Sequence, residues 1–119
     1  DLGPPFYYSA KASKKEKNAG LDSLPKQQGG SYEGRADGSL GKQTNPAANI
    51  HPTVKPVALM RYLIRLVTPP NGVVFDPFLG SGTTAVAAIL EGYHWAGCEM
   101  TEDYWPIIEA RTEWAKSQC

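Results

Sequence analysis

"FDPFLGSGTT", residues 75–84, is the stretch on which the reading of this chain turns. An apolar strand end meets an acidic residue, then a glycine-rich turn, then residues that open a helix. Turns of this kind usually present backbone N–H groups to a nucleotide. A P-loop requires a lysine before the Ser/Thr, and Gly82 stands before Thr83 instead. The dinucleotide pattern fits the spacing better, with Gly80, Gly82 and Ala85 as its three small residues and Glu99 placed to hold a ribose hydroxyl.

Asp76 argues against any ligand with a pyrophosphate at this turn. At about 4 Å and an effective dielectric of 20, two like charges repel by roughly 4 kcal/mol. A ligand with a cationic end would be attracted by the same carboxylate. S-adenosylmethionine has an ammonium and a sulfonium, no phosphate, and a ribose diol for Glu99 to accept from. Its carboxylate needs an opposite partner, which "HPTVKP" supplies through Thr53, Lys55 and a helix start at Pro56. The bland alternative makes Asp76 a cap of the following turn, and His51 and Lys55 ordinary surface residues.

Outward from the turn, the pattern is helix, strand, helix, strand, helix. "HPTVKPVALMRYLIRLVTPP" predicts a helix beginning at Pro56, with Met60, Leu63, Ile64 and Val67 on its inner face and Pro69–Pro70 as its stop. Val73–Phe75 is a continuous apolar run, which predicts a strand buried on both sides of a parallel sheet. "TTAVAAILEG" predicts a helix of small residues ended by Gly92, and "YHWAGCE" a strand reaching Glu99. The last helix is expected to have Thr101 as N-cap, Tyr104, Ile107, Ile108 and Ala115 inside, and a late start or kink at Pro106. Short joints between such elements mean α/β with parallel strands.

The first part of the chain is different. "PFYYSA", Pro5–Ala10, reads as a strand, and four lysines follow at Lys11, Lys14, Lys15 and Lys17. They form either a solvated face or contacts to nucleic-acid phosphates. Gly20–Ile50 is rich in Gly, Ser, Gln, Asn and Pro, as in a long loop or a partly disordered insertion. Two regions follow: 1–48, lysine-rich and polar, and 49–119, the α/β part.

Composition narrows the classes. The 119 residues carry zero formal net charge, so no global field recruits a polyanion. Residues 1–55 nevertheless hold eight Lys/Arg against five Asp/Glu, and residues 56–119 hold four against seven. No apolar run has the length of a membrane helix. Cys98, Cys119, His51 and His94 have no metal-ligand spacing, and no metal is expected. A cytoplasmic location follows from the same features.

Taken together, "HPTVKP", a helix, "FDPFLGSGTT" and "GCE" resemble the amino-methylating DNA methyltransferases that act on adenine N6 or cytosine N4, in the group whose cofactor motifs come last in the chain. The resemblance is strong over residues 49–115 and looser over 5–21. It implies a Rossmann-like fold, here with an incomplete sheet, and S-adenosylmethionine as cofactor. It places Asp76, Phe78, Gly80, Ser81, Gly82 and Thr83 around the methionine part, Glu99 on the ribose, and His51, Thr53, Lys55 and Pro56 toward the carboxylate. It further implies double-stranded DNA as substrate, a flipped target base, a restriction–modification setting and a prokaryotic or phage origin.

The family's catalytic motif, Asp or Ser followed by two prolines and an aromatic residue, is absent; "GPPF" at Gly3–Phe6 is the nearest match, and glycine has no side-chain acceptor. The expectation is a cofactor-binding C-terminal portion with no catalytic residue of its own. Such a portion pairs with a missing catalytic half or self-associates through an apolar sheet edge. The alternatives are a non-catalytic module that holds cofactor or DNA, and a fragment of an NAD-dependent oxidoreductase.

Overall fold

The structure is a computed structural model that describes residues 8–27 and 47–119. Its elements, in chain order, are α1 (Lys14–Lys17), α2 (Val57–Val67), β1 (Val73–Asp76), α3 (Thr83–Leu90), β2 (His94–Gly97), a 3-10 turn (Glu102–Tyr104) and α4 (Trp105–Ser117). β1 and β2 pair in parallel, with Val73 opposite His94 and Asp76 opposite Gly97. Two further hydrogen bonds, Cys98 N to Asp76 O (3.0 Å) and Leu79 N to Cys98 O (2.9 Å), carry the pairing past the strand ends. The glycine turn is thereby fixed to the C-terminal edge of the sheet, where open α/β folds bind ligands.

Small residues put α3 at the centre. Thr83 to Ala88 are all buried, and Ala87 and Ala88 are fully enclosed. Short side chains let α2, α4 and both strands approach this helix closely. Ile64 of α2 packs on Ala87 and Ala88, joined by Val57, Met60, Val74, Tyr93 and Trp95. On the other flank Ile108 of α4 meets Ala85 and Leu79. Fully burying a side chain such as Val86 contributes about 1.5–3 kcal/mol. Gly92, with φ of 77°, follows the last turn of α3 as a left-handed terminator.

Several expectations are corrected by this packing. β1 is not buried on both sides: its residues alternate, and Val73 and Phe75 are each 63% exposed. The apolar run reflects two faces of different fate, only one of which α3 covers. In α2, Ile64 and Met60 do face inward, whereas Leu63 and Val67 are exposed. Pro56 is the N-cap of α2, not its first helical residue. α4 starts late, at Trp105, with Pro106 in its first turn, where the missing N–H is harmless. Thr101 precedes a 3-10 turn and makes no side-chain cap. The inner face of α4 also includes Arg111 and Thr112.

In the front region, Pro5–Tyr7 and residues 28–46 lie outside the described residues, as does the "GPPF" match at 3–6. Tyr8–Ala10 belong to no strand. Ser13 caps α1 by accepting from Glu16 N at 3.2 Å. Gln27 and Ala47 exchange both backbone hydrogen bonds as an isolated antiparallel bridge. Leu21 is almost completely buried against Ala48 and Ile107, so this end of the polar stretch belongs to the packed core.

Candidate functional site

Asp76 ends β1 with both carboxylate oxygens engaged on one side. Oδ1 accepts from Phe78 N at 2.9 Å, and Oδ2 accepts from Thr84 Oγ1 at 2.6 Å. These bonds fix the carboxylate at the head of the turn and leave lone pairs free for a ligand. The capping role thus leaves the carboxylate able to accept further hydrogen bonds. The turn itself needs positive φ at Gly80 (58°) and Gly82 (81°), which side chains rarely tolerate. A Cβ at Gly80 would also lie 2.8 Å from His51 Nε2.

A cavity of about 530 Å³ opens above this turn. Its wall includes His51, Thr53, Lys55, Asp76, Phe78, Gly80, Ser81 and Thr83, so eight of the eleven residues singled out from sequence gather around one space. Leu59, Met60 and Leu63 of α2 supply an apolar side. Thus Leu63 is exposed because it faces this cavity. Of the remaining three, Pro56 and Gly82 are the N-caps of α2 and α3, and they shape the backbone without lining the cavity.

Glu99 borders a second hollow of about 320 Å³, with Leu79, Trp95, Gly97, Trp105 and Ile108. Leu79 belongs to both spaces. The Glu99 carboxylate accepts from Thr101 N at 2.9 Å and Gly80 N at 2.6 Å. The bond from Thr101 is the main cause holding this carboxyl below its usual range, with Gly80 adding to it. Glu99 therefore ties the glycine turn to the end of β2 while keeping an ionised acceptor at the rim.

His51 is half-buried, its ring 4.7 Å from that of Tyr104. Its Nδ1 accepts from Thr53 N at 3.2 Å, so the neutral imidazole carries its proton on Nε2. Burial pulls its pKa below the ordinary 6.5; Glu99 opposes that shift, while Lys55 and Arg111 add to it.

The lysines are not part of this wall. Lys14, Lys15 and Lys17 lie on α1 and Lys11 precedes it; Lys15 flanks a separate hollow beside Glu16, Val57, Arg111 and Trp114. What sequence reading missed is how firmly α1 is anchored. Asn18 Oδ1 accepts from Ala48 N and Asn49 N, and Asn49 Nδ2 donates to Lys17 O at 2.8 Å. Glu16 accepts from Val57 N at 2.7 Å, at the start of α2. The Ser13-x-x-Glu16 pattern was the available signal for this helix. Thr84 and Arg111 were missed as well. Among the described residues, no three His, Cys, Asp or Glu side chains gather as a metal site would need, and no helix is long and apolar enough to cross a membrane.

Residues 6–110 match the family described as DNA methylase, of N6/N4 type. The chain is 39% identical over 75 residues to the type II methyltransferase M.ScaI of Streptomyces caespitosus, covering 63% of this chain and 25% of that protein. It is 38% identical over 76 residues to the type II methyltransferase M2.DpnII of Streptococcus pneumoniae, covering 64% of this chain and 28% of the relative. The chain thus spans about a quarter of the length of the curated relatives it matches. Among solved structures, an M1.HpyAVI–SAM complex superposes with a TM-score of 0.50 at 41% identity, over 51% of this chain and 30% of that one. The described α/β unit is a partial Rossmann-like fold of this kind.

Proposed function

The chain belongs to the DNA methylase family, and from that premise we propose that residues 49–119 form the cofactor-binding portion of an S-adenosylmethionine-dependent methyltransferase. Its substrate is the exocyclic amine of adenine or cytosine in double-stranded DNA. The observation that carries this reading is Asp76, a carboxylate fixed at the head of the glycine turn and lining a cavity whose wall also holds Lys55 and Thr53. That donor set fits the cofactor. Asp76 would hold the cationic end, and Thr53 and Lys55 would meet the carboxylate, with His51 beside them. Glu99 would accept from the ribose diol, and the hollow between Leu79, Trp95, Trp105 and Ile108 would take the base. When bound, the cofactor supplies an electrophilic methyl group; this chain's residues orient that group and shield it from water.

No residue here is assigned to hold the target amine. Positioning supplies most of the rate in such a transfer, so this chain alone is expected to be nearly inactive. The relatives' greater length supports assigning the base-holding motif to further polypeptide. The exposed side of the two-stranded sheet, with Val73 and Phe75, is the surface such a partner would cover, or a second copy in its absence. Solution scattering on this chain should then show association that rises with concentration; a compact monomer at every concentration overturns that part. The lysines of the front segment are proposed as contacts to DNA phosphates, which salt-dependent retention on duplex DNA would report.

The direct test is calorimetric titration with S-adenosylhomocysteine and with NAD, on the chain and on Asp76→Ala. Saturable binding of the first alone, lost in the variant, supports the proposal. Binding of NAD would overturn the cofactor assignment proposed for this site. The absence of a catalytic motif also favours a second reading, a module that holds cofactor without transferring methyl. Methyl transfer to DNA by a chain joined to its missing part would overturn it.

A further inference from the structure

Arg111 is the largest of the fully buried side chains described, at 2% exposure, and nothing in the sequence pattern announced it. A buried guanidinium is costly unless it is paired. Among the described residues no carboxylate lies within ion-pair distance of it. Its hydrogen bonds instead go to one place. Nη1 donates to Ser81 O (2.8 Å), Ser81 Oγ (3.0 Å) and Thr83 Oγ1 (3.0 Å). Both of those residues line the cavity above the glycine turn. Arg111 therefore reaches from α4 to the turn and holds it without itself lining the cavity.

Its charge is out of place for a purely structural clamp. The guanidinium sits at the N-terminal end of α3, where the helix dipole is already positive. Burial lowers its pKa to about 10, and Glu16 is the charge that opposes this. A neutral donor could make the same bonds without that repulsion. Two positive sources beside this cavity favour a ligand that carries an anionic group, such as the carboxylate assigned above to Thr53 and Lys55 in the same cavity.

We propose that Arg111 is a positioning residue for the cofactor: it fixes the Ser81–Thr83 backbone and adds positive potential under the amino-acid end of the ligand. This inference rests on the cofactor reading given above. It is separable from that reading because the amino-acid end and the adenosine end of the ligand can be tested apart.

The experiment titrates this chain, Arg111→Met, Arg111→Lys and Thr112→Ala with S-adenosylhomocysteine and with 5′-methylthioadenosine, which keeps the adenosine and lacks the amino acid. Urea unfolding of each variant is followed in parallel. Thr112 is the control, since its hydroxyl bonds only Ile108 O and Glu109 O within its own helix. Arg111→Met should lower affinity for S-adenosylhomocysteine roughly 10- to 100-fold, the range expected for lost charged hydrogen bonds, and that for methylthioadenosine by less than about threefold. Arg111→Lys should recover part of the loss, and Thr112→Ala should lower stability without moving either affinity more than about twofold. Should Arg111→Met fail to fold, the contrast between the two ligands in Arg111→Lys decides the matter.

Equal losses for both ligands, or affinities that simply follow stability across the variants, overturn the proposal. Arg111 variants that bind like the parent chain overturn it while leaving the cofactor reading intact. A parent chain that binds neither ligand overturns both.

Discussion

The two faces of the small sheet differ in almost every respect, although one four-residue run contributes to both. On one face Val74 and Trp95 pack toward α3, whose small side chains let α2 and α4 close in from either side. On the other, Val73 and Phe75 stand with His94 and Ala96 in the open. The covered face holds the glycine turn in register beside the cavity. The open face is apolar without a partner among the described residues. Apolar sequence thus states that a face wants cover; whether it gets cover depends on what else the chain has to pack there.

The sharpest way to break this contrast is to charge its covered side. Val86→Asp buries an unpaired carboxylate beneath α2 and α4 and should cost more than about 4 kcal/mol, seen as loss of the cooperative urea transition. The turn that crowns the covered face comes next. Gly80→Ala must adopt positive φ and displace His51, and should cost about 2 kcal/mol in the same measurement while weakening S-adenosylhomocysteine binding. Glu91 joins α2 to the end of α3 through Arg61 and, at 3.7 Å, Arg65. Because both arginines are partly solvated, Glu91→Gln should cost only about 1 kcal/mol.

A smaller effect is expected from pH. Burial makes the folded chain favour neutral His51, whose pKa lies below 6.5. Its contribution is therefore complete above pH 6.5 and is lost as pH falls through the lower folded value. Protonation also removes the Nδ1 acceptor used by Thr53. The urea midpoint should fall between neutral and mildly acidic pH more steeply than in His51→Gln; parallel profiles would refute the assignment. The smallest stability effect belongs to the open face. Phe75→Ser should change unfolding by less than about 0.5 kcal/mol while reducing concentration-dependent association. A cost near that of Val86→Asp would show that this face is covered after all.

Much of the site was legible before any coordinates. Asp76 and the glycine pair could be read because a strand end, a turn and a helix start are local events, each signalled within ten residues. Lys55 and Glu99 were grouped from sequence by the charges one ligand would need, and the structure places them on two neighbouring hollows that share Leu79. Arg111 gave no such signal. It sits on α4 among residues of ordinary helical pattern, and its partners are some thirty residues back in the chain. Thr84 was passed over for a related reason: its bond to Asp76 closes the turn from within, and only the fold of the turn brings the two together. Leu63 was misread because helical spacing places it on an apolar face but does not say whether that face meets core or cavity.

By itself, the sequence determined the order of elements from α2 to α4, the parallel α/β class and the family, because periodicity, helix stops and the glycine turn are short-range constraints that few folds satisfy. Only the tertiary structure decided which side of an apolar strand is covered, that His51 and Gly80 share one contact, and that a buried cation from the last helix supports the turn. Those outcomes depend on which distant surfaces meet, and packing is a property of pairs of elements that no single stretch contains.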